Sequence, residues 1–382
     1  MKKIEVLWVG PVISESEFNN QAVSPAASIW QSLFIEQLQK LNFNVTTLTH
    51  LPKRIFPFST PIVFARKDIF QDGISGINFG FLNIPLIRAW YLKVAYYLNI
   101  KKIMANHKID LIISYNLESY ITTAVFDNIK TNKVPWVAIV ADMPSMHADQ
   151  YYNASKASYA QGRVYLSWTN FLEKSVDSTS IFLEGGVPLL GSRYAIQKVP
   201  IFKVAYFGSL TTVGGADLFL KATRHLSVDS FEFHIVGNGD ATKVREFAAH
   251  DSRIRYHGAI SQSELTALGK EMNLFIDPRP VSLSKNNFPS KVLTYLSFGA
   301  PIISTMGHGL SPEYSKVLLP LSECTPEALA KLIQNISLWD TDRIQEYRNA
   351  TQSFVTESKS WPAQVSRFAN WLFDSNILHR SL

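Results

Sequence analysis

Two cations, Arg279 and Lys291, lie twelve residues apart on either side of a predicted helix start. The apolar run Leu274–Ile276 predicts the end of a buried strand, and Pro289 near a first helical position predicts a helix over Ser290–Phe298. The free N–H groups of a helix N-terminus bind anions, and both cations add positive charge there. The spacing therefore predicts an anion site, although an ordinary β-loop-α-β unit would have the same spacing.

Polar side chains also follow two predicted strands nearer the N-terminus. Asp142 and His147 come directly after the apolar run Pro135–Ala141, where a carboxylate and an imidazole could contact substrate hydroxyls. The loop after the first strand begins at Gly10 and contains Ser14, Glu15 and Asn19. Asp142 could instead cap a helix, since Asp is a preferred N-cap residue. Both loops therefore lie where open α/β sheets bind their ligands.

The elements that must position these residues alternate between strand and helix. Ile4–Val9, Pro25–Leu41 and Asn44–Thr49 read as strand, helix and strand, which is the start of a doubly wound α/β layer. Lys203–Phe207 predicts the first strand of a second such layer. Between them, the Ala-, Ser- and Tyr-rich segment Tyr151–Tyr165 predicts a helix. The fold class is therefore α/β with parallel sheets.

A length of 382 residues exceeds one ordinary hydrophobic core and predicts two domains. The break at Glu184–Pro188, which contains Gly-Gly, predicts the boundary, giving domains over residues 1–187 and 188–360. The last segment, residues 361–382, contains the amphipathic helix Trp361–Leu378. We expect it to pack back on the first domain.

Composition limits the class of protein. With 46% hydrophobic and 18% charged residues the chain is globular rather than disordered. One cysteine, Cys324, excludes an intramolecular disulfide and a multi-cysteine metal site, and it fits a reducing compartment. No apolar run is long enough to span a bilayer, and Met1–Gly10 reads as a strand rather than a signal peptide. We therefore expect a cytoplasmic protein, at most peripheral to a membrane.

The positive charge is concentrated between Leu51 and Lys108. This segment has nine cations against two carboxylates, a net charge of +7, whereas the whole chain carries +6. Ten aromatic residues are interleaved with the cations: Phe56, Phe58, Phe64, Phe70, Phe79, Phe81, Trp90, Tyr91, Tyr96 and Tyr97. An anionic membrane attracts such a surface. The aromatics could equally be core with a solvated rim of cations, and no nucleic-acid motif accompanies them.

The segment around Lys291 resembles a known family. The pattern P-R…F-P-S-K…Y…G-x-P…P-E-Y is similar to the donor-binding segment of family-four-like retaining glycosyltransferases with the GT-B fold. It is most similar to bacterial enzymes of surface-polysaccharide (O-antigen and capsule) synthesis. The matching residues are Pro278, Arg279, Phe288, Pro289, Ser290, Lys291, Tyr295, Gly299, Pro301, Pro312, Glu313 and Tyr314.

The resemblance implies two Rossmann-like domains facing across a cleft. It implies transfer of a hexose from a nucleoside-diphosphate sugar, with UDP-galactose or the furanose form as candidates, to a lipid-linked saccharide. The reaction would retain configuration and need no metal or other cofactor. The partners would be the donor, the acceptor, the inner face of the cytoplasmic membrane and other polysaccharide-assembly enzymes, without nucleic acid.

The resemblance also assigns residue roles. Arg279 and Lys291 would hold the diphosphate, and Asp142 would lie near the reacting sugar. The donor-binding candidates are Gly208, Ser209, Gly237, Asn238, Ala259, Ile260, Ser261, Pro289, Ser290 and Thr294. The acceptor-binding candidates are Gly10, Ser14, Glu15, Asn19 and His147. Ser261 with Glu264 three residues later also predicts a capping box at a helix start.

Two positions depart from the family pattern. Asn286 and Thr294 stand where the family has glutamates eight residues apart, and a Thr hydroxyl cannot accept from both ribose hydroxyls as a carboxylate does. A non-catalytic or partner-dependent GT-B subunit is therefore one alternative. A GT-B nucleotide-sugar epimerase is another, and it would need carboxylates and histidines clustered beside the phosphates.

Overall fold

The computed structural model describes residues 3–18, 20–67, 69–70, 73–141, 154–174, 179–188, 200–280, 289–307 and 309–379. The chain divides into two compact units. Unit 1 comprises Met1–Gly185 and Gln364–Leu382, and unit 2 comprises Gly186–Ala363. The chain first leaves unit 1 between Gly185 and Gly186, within the Gly-Gly break of the sequence.

Unit 1 is built on a parallel sheet. Within the described residues seven strands hydrogen-bond in the order β4-β2-β1-β6-β7-β8-β9, and every pair is parallel. The strands of the unit are β1 Ile4–Val9, β2 Phe43–Thr49, β3 Ile62–Val63, β4 Ser75–Asn78, β5 Phe81–Leu82, β6 Leu111–Tyr115, β7 Trp136–Val140, β8 Gly162–Tyr165 and β9 Ser180–Phe182. The short strands β3 and β5 pair separately and antiparallel.

The central strands of unit 1 are covered on both faces, and for this reason their sequences are continuously apolar. Every residue of β6 and of β7 is buried. The covering helices include α1 Pro25–Lys40, α2 Arg88–Asn106, α3 Ser119–Asn132, α4 Ala154–Ala157 and α5 Trp168–Lys174. Helix α1 begins where Ser24 accepts a hydrogen bond from the Ala27 N–H. The N-cap Ser24 thus determines where the loop after β1 ends and α1 begins.

The predicted helix over Tyr151–Tyr165 is wrong in its second half. The described part contains the single turn α4 and then the strand β8, which pairs in parallel with β7. Val164 and Tyr165 are buried in the sheet. The hydrogen bonds and burial that this strand gains outweigh the weak helix preference of an Ala- and Ser-rich segment.

Unit 2 repeats the architecture. Six strands among its described residues hydrogen-bond in the order β12-β11-β10-β13-β14-β15, again all parallel. They are β10 Phe202–Phe207, β11 Phe231–Val236, β12 Ile254–Gly258, β13 Leu274–Asp277, β14 Ile302–Ser304 and β15 Leu319–Pro320. Each unit is thus Rossmann-like, and the predicted fold class of two doubly wound α/β domains is confirmed.

Four helices described in unit 2 connect consecutive strands: α6 Ala216–Thr223, α7 Thr242–His250, α8 Gln262–Gly269 and α9 Ser290–Phe298. Two more, α10 Pro326–Ser337 and α11 Thr341–Phe354, follow the last strand. The predicted bounds of α9 are confirmed. The predicted capping box is confirmed too, because Ser261 Oγ accepts from the Glu264 N–H and the Glu264 carboxylate accepts from the Ser261 N–H.

The helix α12, Trp361–Asp374, leads back into unit 1. Val365, Phe368 and Leu372 are fully buried, and the Phe368 ring lies 5.1 Å from that of Phe34 on α1. The apolar stripe that the sequence displays at helical spacing is therefore the face that enters the core. No helix in the described part of the chain has the length and hydropathy to cross a bilayer.

Candidate functional site

Strand order in unit 2 reverses between β10 and β13, and the loops after these two strands meet. Gly215, at the N-cap of α6, has φ +81°, and a Cβ there would lie 2.3 Å from the Pro278 carbonyl oxygen. Ligands of open α/β sheets bind outside the carboxyl ends of strands at such a reversal. The loops 208–215 and 278–280 therefore define the place where unit 2 would hold a ligand.

The carboxylate of Asp277, the last residue of β13, joins the two predicted cations. Its Oδ1 lies 2.9 Å from Lys291 Nζ and 3.2 Å from Arg279 Nε, and its Oδ2 accepts from Ser304 Oγ at 3.1 Å. Asp277 is only 1% exposed. The structure thus brings Arg279 and Lys291 together on one buried carboxylate, which leaves a net charge of about +1 when all three are ionised.

Lys291 is held on three sides. Besides its pair with Asp277, Nζ donates to the Gly214 carbonyl at 3.0 Å and lies 4.3 Å from the centre of the Tyr206 ring. Burial lowers the pKa of Lys291, and Arg279 adds to that, while Asp277 opposes it. The Asp277 carboxylate therefore favours the charged ammonium and opposes the effect of burial on this pKa.

The Arg279 side chain uses only one of its guanidinium nitrogens in the described contacts. Its Nε is paired with Asp277, and Thr305 Oγ1 donates to its carbonyl at 2.7 Å, which fixes the backbone. Within the described residues its two terminal nitrogens have no hydrogen-bond partner. A planar guanidinium with two open nitrogens matches the oxygens of a phosphate.

Helix α9, which carries Lys291, is anchored to the sheet by Tyr295. The buried hydroxyl accepts from the Phe207 N–H and donates to the Phe207 carbonyl, both at 2.9 Å. Phe207 is the last residue of β10. This link fixes the start of α9 beside the loop after β10.

Four of the predicted donor-binding residues lie in glycine turns at the same sheet edge. A Cβ at Gly208 would be 3.3 Å from Lys291 Cδ, and one at Gly237 would be 1.8 Å from the Gly208 carbonyl oxygen. Ser209 is exposed and its carbonyl accepts from Tyr206 Oη at 2.7 Å. The Asn238 carbonyl accepts from the Leu210 N–H at 2.8 Å. These turns are packed against each other and beside Lys291.

The other predicted donor-binding residues lie at two helix starts. Pro289 is the N-cap of α9, Ser290 is exposed in its first turn, and Thr294 is half-buried one turn later. Ala259, Ile260 and Ser261 follow β12, and the Ser261 hydroxyl is used in its capping box. The described contacts do not bring these last three to the Asp277 carboxylate.

Several predicted residues lie outside the described part of the chain: Asp142, His147, Asn19 and Asn286. The remaining acceptor candidates are in the loop after β1. Gly10 is buried and its N–H donates to the Leu48 carbonyl, the Ser14 N–H donates to the Ile69 carbonyl at 2.7 Å, and Glu15 is exposed. Their roles stay predictions.

The sequence pattern did not single out Asp277, which the structure places between Arg279 and Lys291. A carboxylate at the end of a buried strand, two residues before a predicted phosphate-binding arginine, is a signal that could have found it. The Asp-x-Asp sequence at Asp340 and Asp342 is of a type that can bind metals. It starts α11 instead, where Asp340 accepts from the Arg343 N–H at 2.8 Å.

Residues 201–337 match the family described as glycosyl transferases group 1. The match contains β10 to α10 and therefore the Asp277, Arg279 and Lys291 cluster. A search of curated proteins found no match to the chain.

Solved structures share the fold over nearly the whole chain. A glycosyltransferase from Rickettsia africae has a TM-score of 0.72 at 14% identity, covering 100% of both chains. HepE from Anabaena, in complex with UDP and glucose, has a TM-score of 0.63 at 13% identity, and the match covers 97% of this chain and 100% of HepE. The lipopolysaccharide outer core galactosyltransferase WaaB has a TM-score of 0.65 at 13% identity, and the match covers 97% of this chain and 99% of WaaB. Both units together therefore have the GT-B fold.

Proposed function

We propose that this chain, a GT-B protein whose second unit matches glycosyl transferases group 1, transfers a hexose from a nucleoside-diphosphate sugar to a lipid-linked saccharide. The reaction would retain anomeric configuration and need no metal or other cofactor. The observation that carries the proposal is the pair of cations held on Asp277 at the strand reversal of unit 2.

The chemistry follows from where charge develops. As the glycosidic bond breaks, the nucleoside diphosphate leaves with additional negative charge, and fixed donors aimed at it lower the barrier. The open nitrogens of Arg279 and the ammonium of Lys291 would provide these donors. Asp277 would hold both cations in place before the substrate arrives, so that little reorganisation is needed.

The donor is proposed to carry UDP. HepE was solved with UDP and glucose, and WaaB is a galactosyltransferase of the lipopolysaccharide outer core. These relatives favour a UDP-hexose, with galactose as the first sugar to try, and a place in bacterial polysaccharide synthesis. Asp142 remains the proposed contact near the reacting sugar. His147 and the loop after β1 remain the proposed contacts on the acceptor side.

A lipid-linked acceptor requires access to a membrane, and unit 1 has a suitable surface. Large apolar side chains are exposed at Phe58 (68%), Phe64 (73%), Leu86 (99%) and Trp90 (64%), which we call the aromatic surface. The segments that carry them are tied together by pairing of β3 with β5 and by Asn83, which donates to the Arg54 and Thr60 carbonyls.

Cations accompany the aromatic surface. Arg54 lies 4.8 Å from the Phe58 ring centre, and Arg88 Nη1 donates to the Lys53 carbonyl. Exposed apolar groups with interspersed cations suit the headgroup region of an anionic leaflet. We therefore propose that unit 1 docks on the inner face of the cytoplasmic membrane. Other aromatics of the segment, including Phe79, Phe81 and Tyr96, are buried in the core.

The experiment measures UDP binding and sugar transfer for Arg279→Ala and Lys291→Ala. Each variant should lose about 10²–10³-fold in turnover, as expected for removal of one transition-state donor. Lys221→Ala is the matched control, because Lys221 is an exposed lysine of the same unit paired with Asp217. Wild-type rates in both variants, with unchanged folding, would refute the proposal. Chelator should not reduce the rate.

The same assay separates the alternatives. A non-catalytic or partner-dependent subunit, which Thr294 keeps open, would bind UDP without transferring sugar until its partner is added. An epimerase would interconvert nucleotide sugars in the absence of an acceptor.

A further inference from the structure

Lys359 is a lysine of unit 2 whose side chain is completely buried, and no step of the proposed reaction uses it. It ends a single π-helical turn, Val355–Lys359, which lies between α11 and α12. Turns of this kind are uncommon and occur frequently at functional sites. A lysine is almost never fully buried unless its charge is paired, so the contacts of this side chain indicate its role.

The Lys359 ammonium lies among one carboxylate and two aromatic rings. Its Nζ donates to Glu313 Oε1 at 2.5 Å, and it lies 4.6 Å from the centre of the Tyr314 ring and 5.5 Å from that of Phe354. The Glu313 side chain is 35% exposed, whereas that of Lys359 is 0% exposed. The ion pair therefore fixes a partly solvated carboxylate to a cation whose position is determined by packing.

Glu313 connects this cation to the ligand edge of unit 2. It lies in the 3₁₀-helix Pro312–Lys316, directly after the loop that follows β14, and its Oε1 also accepts from Ser311 Oγ at 2.9 Å. At the start of the same loop, Thr305 Oγ1 donates to the Arg279 carbonyl at 2.7 Å. The loop after β14 is thus bonded at its start to the segment that carries Arg279 and at its end to Glu313.

The backbone of Lys359 is bonded to the segment at which the chain enters unit 2. The chain passes between the units at Gly185–Gly186 and again at Ala363–Gln364. The Val187 N–H donates to the Lys359 carbonyl at 2.6 Å, and Val187 forms an isolated parallel bridge with Ser360. The first passage is therefore bonded, within unit 2, to the segment that leads into the second.

We propose that Lys359 is a positioning residue that couples the loop after β14 to the segment at which the chain enters unit 2, through its ammonium on Glu313 and its carbonyl on Val187. A displacement at one attachment changes the other, because a closely packed residue holds both. Binding of a ligand beside Arg279 therefore alters the Val187 hydrogen bond. That this ligand is a nucleoside diphosphate rests on the proposed function. The coupling itself does not.

The test is amide hydrogen exchange of the full chain without ligand, measured at Val187 and at Thr305, whose N–H donates to the carbonyl of Asp277. Glu313→Gln should accelerate exchange at Val187 about fivefold or more, although the two residues are far apart in the sequence. Lys359→Met keeps an unbranched side chain without the ammonium and should accelerate exchange at Thr305 by a similar factor.

The matched control is Lys316→Met, at an exposed lysine of the same 3₁₀-helix, and it should change exchange at neither reporter. The double variant Lys359→Met with Glu313→Gln should exchange no faster than the faster single variant, because both substitutions remove one contact. Amides of β11 should exchange as in the wild type in every variant, which shows that the fold of unit 2 is kept. Glu313→Gln changes a partly exposed side chain and decides the test alone if Lys359→Met does not fold.

A titration with UDP provides a readout that a merely structural role would not change. Saturating UDP should slow exchange at Val187 in the wild type. The two single variants should bind UDP about fivefold more weakly, and once saturated they should show no change at Val187. A residue that only stabilises the fold would weaken protection in the free protein and leave the response to UDP intact.

Two results would overturn the inference. One is equal exchange at Val187 in Glu313→Gln and Lys316→Met, and the other is an equal effect of UDP at Val187 in the wild type and in Glu313→Gln. Failure of the wild type to bind UDP contradicts only the transferase proposal, because the comparison without ligand still decides the coupling. UDP binding and sugar transfer without coupling between Glu313 and Val187 contradict only this inference.

Discussion

Lys291 Nζ lies 2.9 Å from Oδ1 of Asp277, and that carboxylate is almost completely buried. The Lys291 side chain is in turn only 10% exposed. Two opposite charges at this depth stabilise each other, whereas either one alone would be left without its partner and without water. The pair is therefore both a structural element of unit 2 and the support of its candidate phosphate site.

Asp277→Asn should lower the free energy of unfolding of unit 2 by about 3–5 kcal/mol, because it leaves Lys291 and Arg279 without a counter-charge in a buried place. Chemical denaturation monitored by circular dichroism measures this. Asp217→Asn is the matched control, since Asp217 also joins two lysines, Lys221 and Lys243, but is 34% exposed. Asp217→Asn should lower the free energy of unfolding by no more than about 1 kcal/mol. Equal losses would mean that the Asp277 cluster is solvated.

Gly215→Ala should weaken UDP binding about tenfold or more without removing any charge. The alanine Cβ would lie 2.3 Å from the Pro278 carbonyl oxygen and 3.1 Å from the backbone nitrogen of Arg279. The loop that carries Arg279 must therefore move. Gly299→Ala is the matched control, because it introduces the strain of an alanine at positive φ without a steric clash. Gly299 has φ +67°, and the nearest atom to its Cβ is 4.0 Å away.

Both glycine variants should lose about 1–2 kcal/mol of stability, because an alanine is strained at positive φ. Only the Gly215 variant should lose affinity for UDP in calorimetric titration. Similar affinities in the two variants would show that the loops 208–215 and 278–280 do not hold the nucleotide.

His50 should make unit 1 sensitive to acid. Its pKa is lowered to about 3 in the folded protein, mainly by burial, against 6.5 when exposed. Between these values the unfolded chain binds a proton that the folded one does not, so stability falls as pH decreases below 6.5. The loss from this group should approach about 3 kcal/mol near pH 4.5.

His50→Gln removes this titration while an amide oxygen can still accept from Tyr96. The unfolding free energy of the wild type minus that of the variant should therefore fall by about 2–3 kcal/mol as the pH is lowered from 7 to 4.5, whatever its value at pH 7. A constant difference across this range would show that His50 protonates freely in the folded state.

The double substitution Phe64→Ser with Trp90→Ser should reduce binding to vesicles of equal parts phosphatidylcholine and phosphatidylglycerol. Each side chain is exposed and can enter the headgroup region. Flotation measures the bound fraction, which should fall several-fold while UDP binding is unchanged. Leu338→Ser, at a leucine of unit 2 that is 79% exposed, controls for general loss of surface hydrophobicity. Equal flotation of all three proteins would contradict docking through the aromatic surface.

The sequence by itself determined most of the elements and the two cations of unit 2. Apolar runs such as Leu274–Ile276 and the start and stop signals around Ser290–Phe298 act over a few residues, so the chain specifies them locally. The same local reasoning failed for Tyr151–Tyr165, where pairing of β8 with β7 decided the conformation. Hydrogen bonds between strands that are distant along the chain cannot be predicted from the local amino-acid composition.

Only the tertiary structure decided which side chains share a site. His50, Arg88 and Glu118 come from three separate segments of unit 1 and line one cavity, because a parallel sheet gathers the carboxyl ends of its strands at one edge. The tertiary structure likewise buried Phe81 and exposed Phe64, two aromatics of one basic segment, because burial depends on which face another element covers. The tertiary structure also places Arg279 and Lys291 next to Asp277. The packing of the folded chain, and not the order of residues along it, determines which cations neutralise a buried carboxylate.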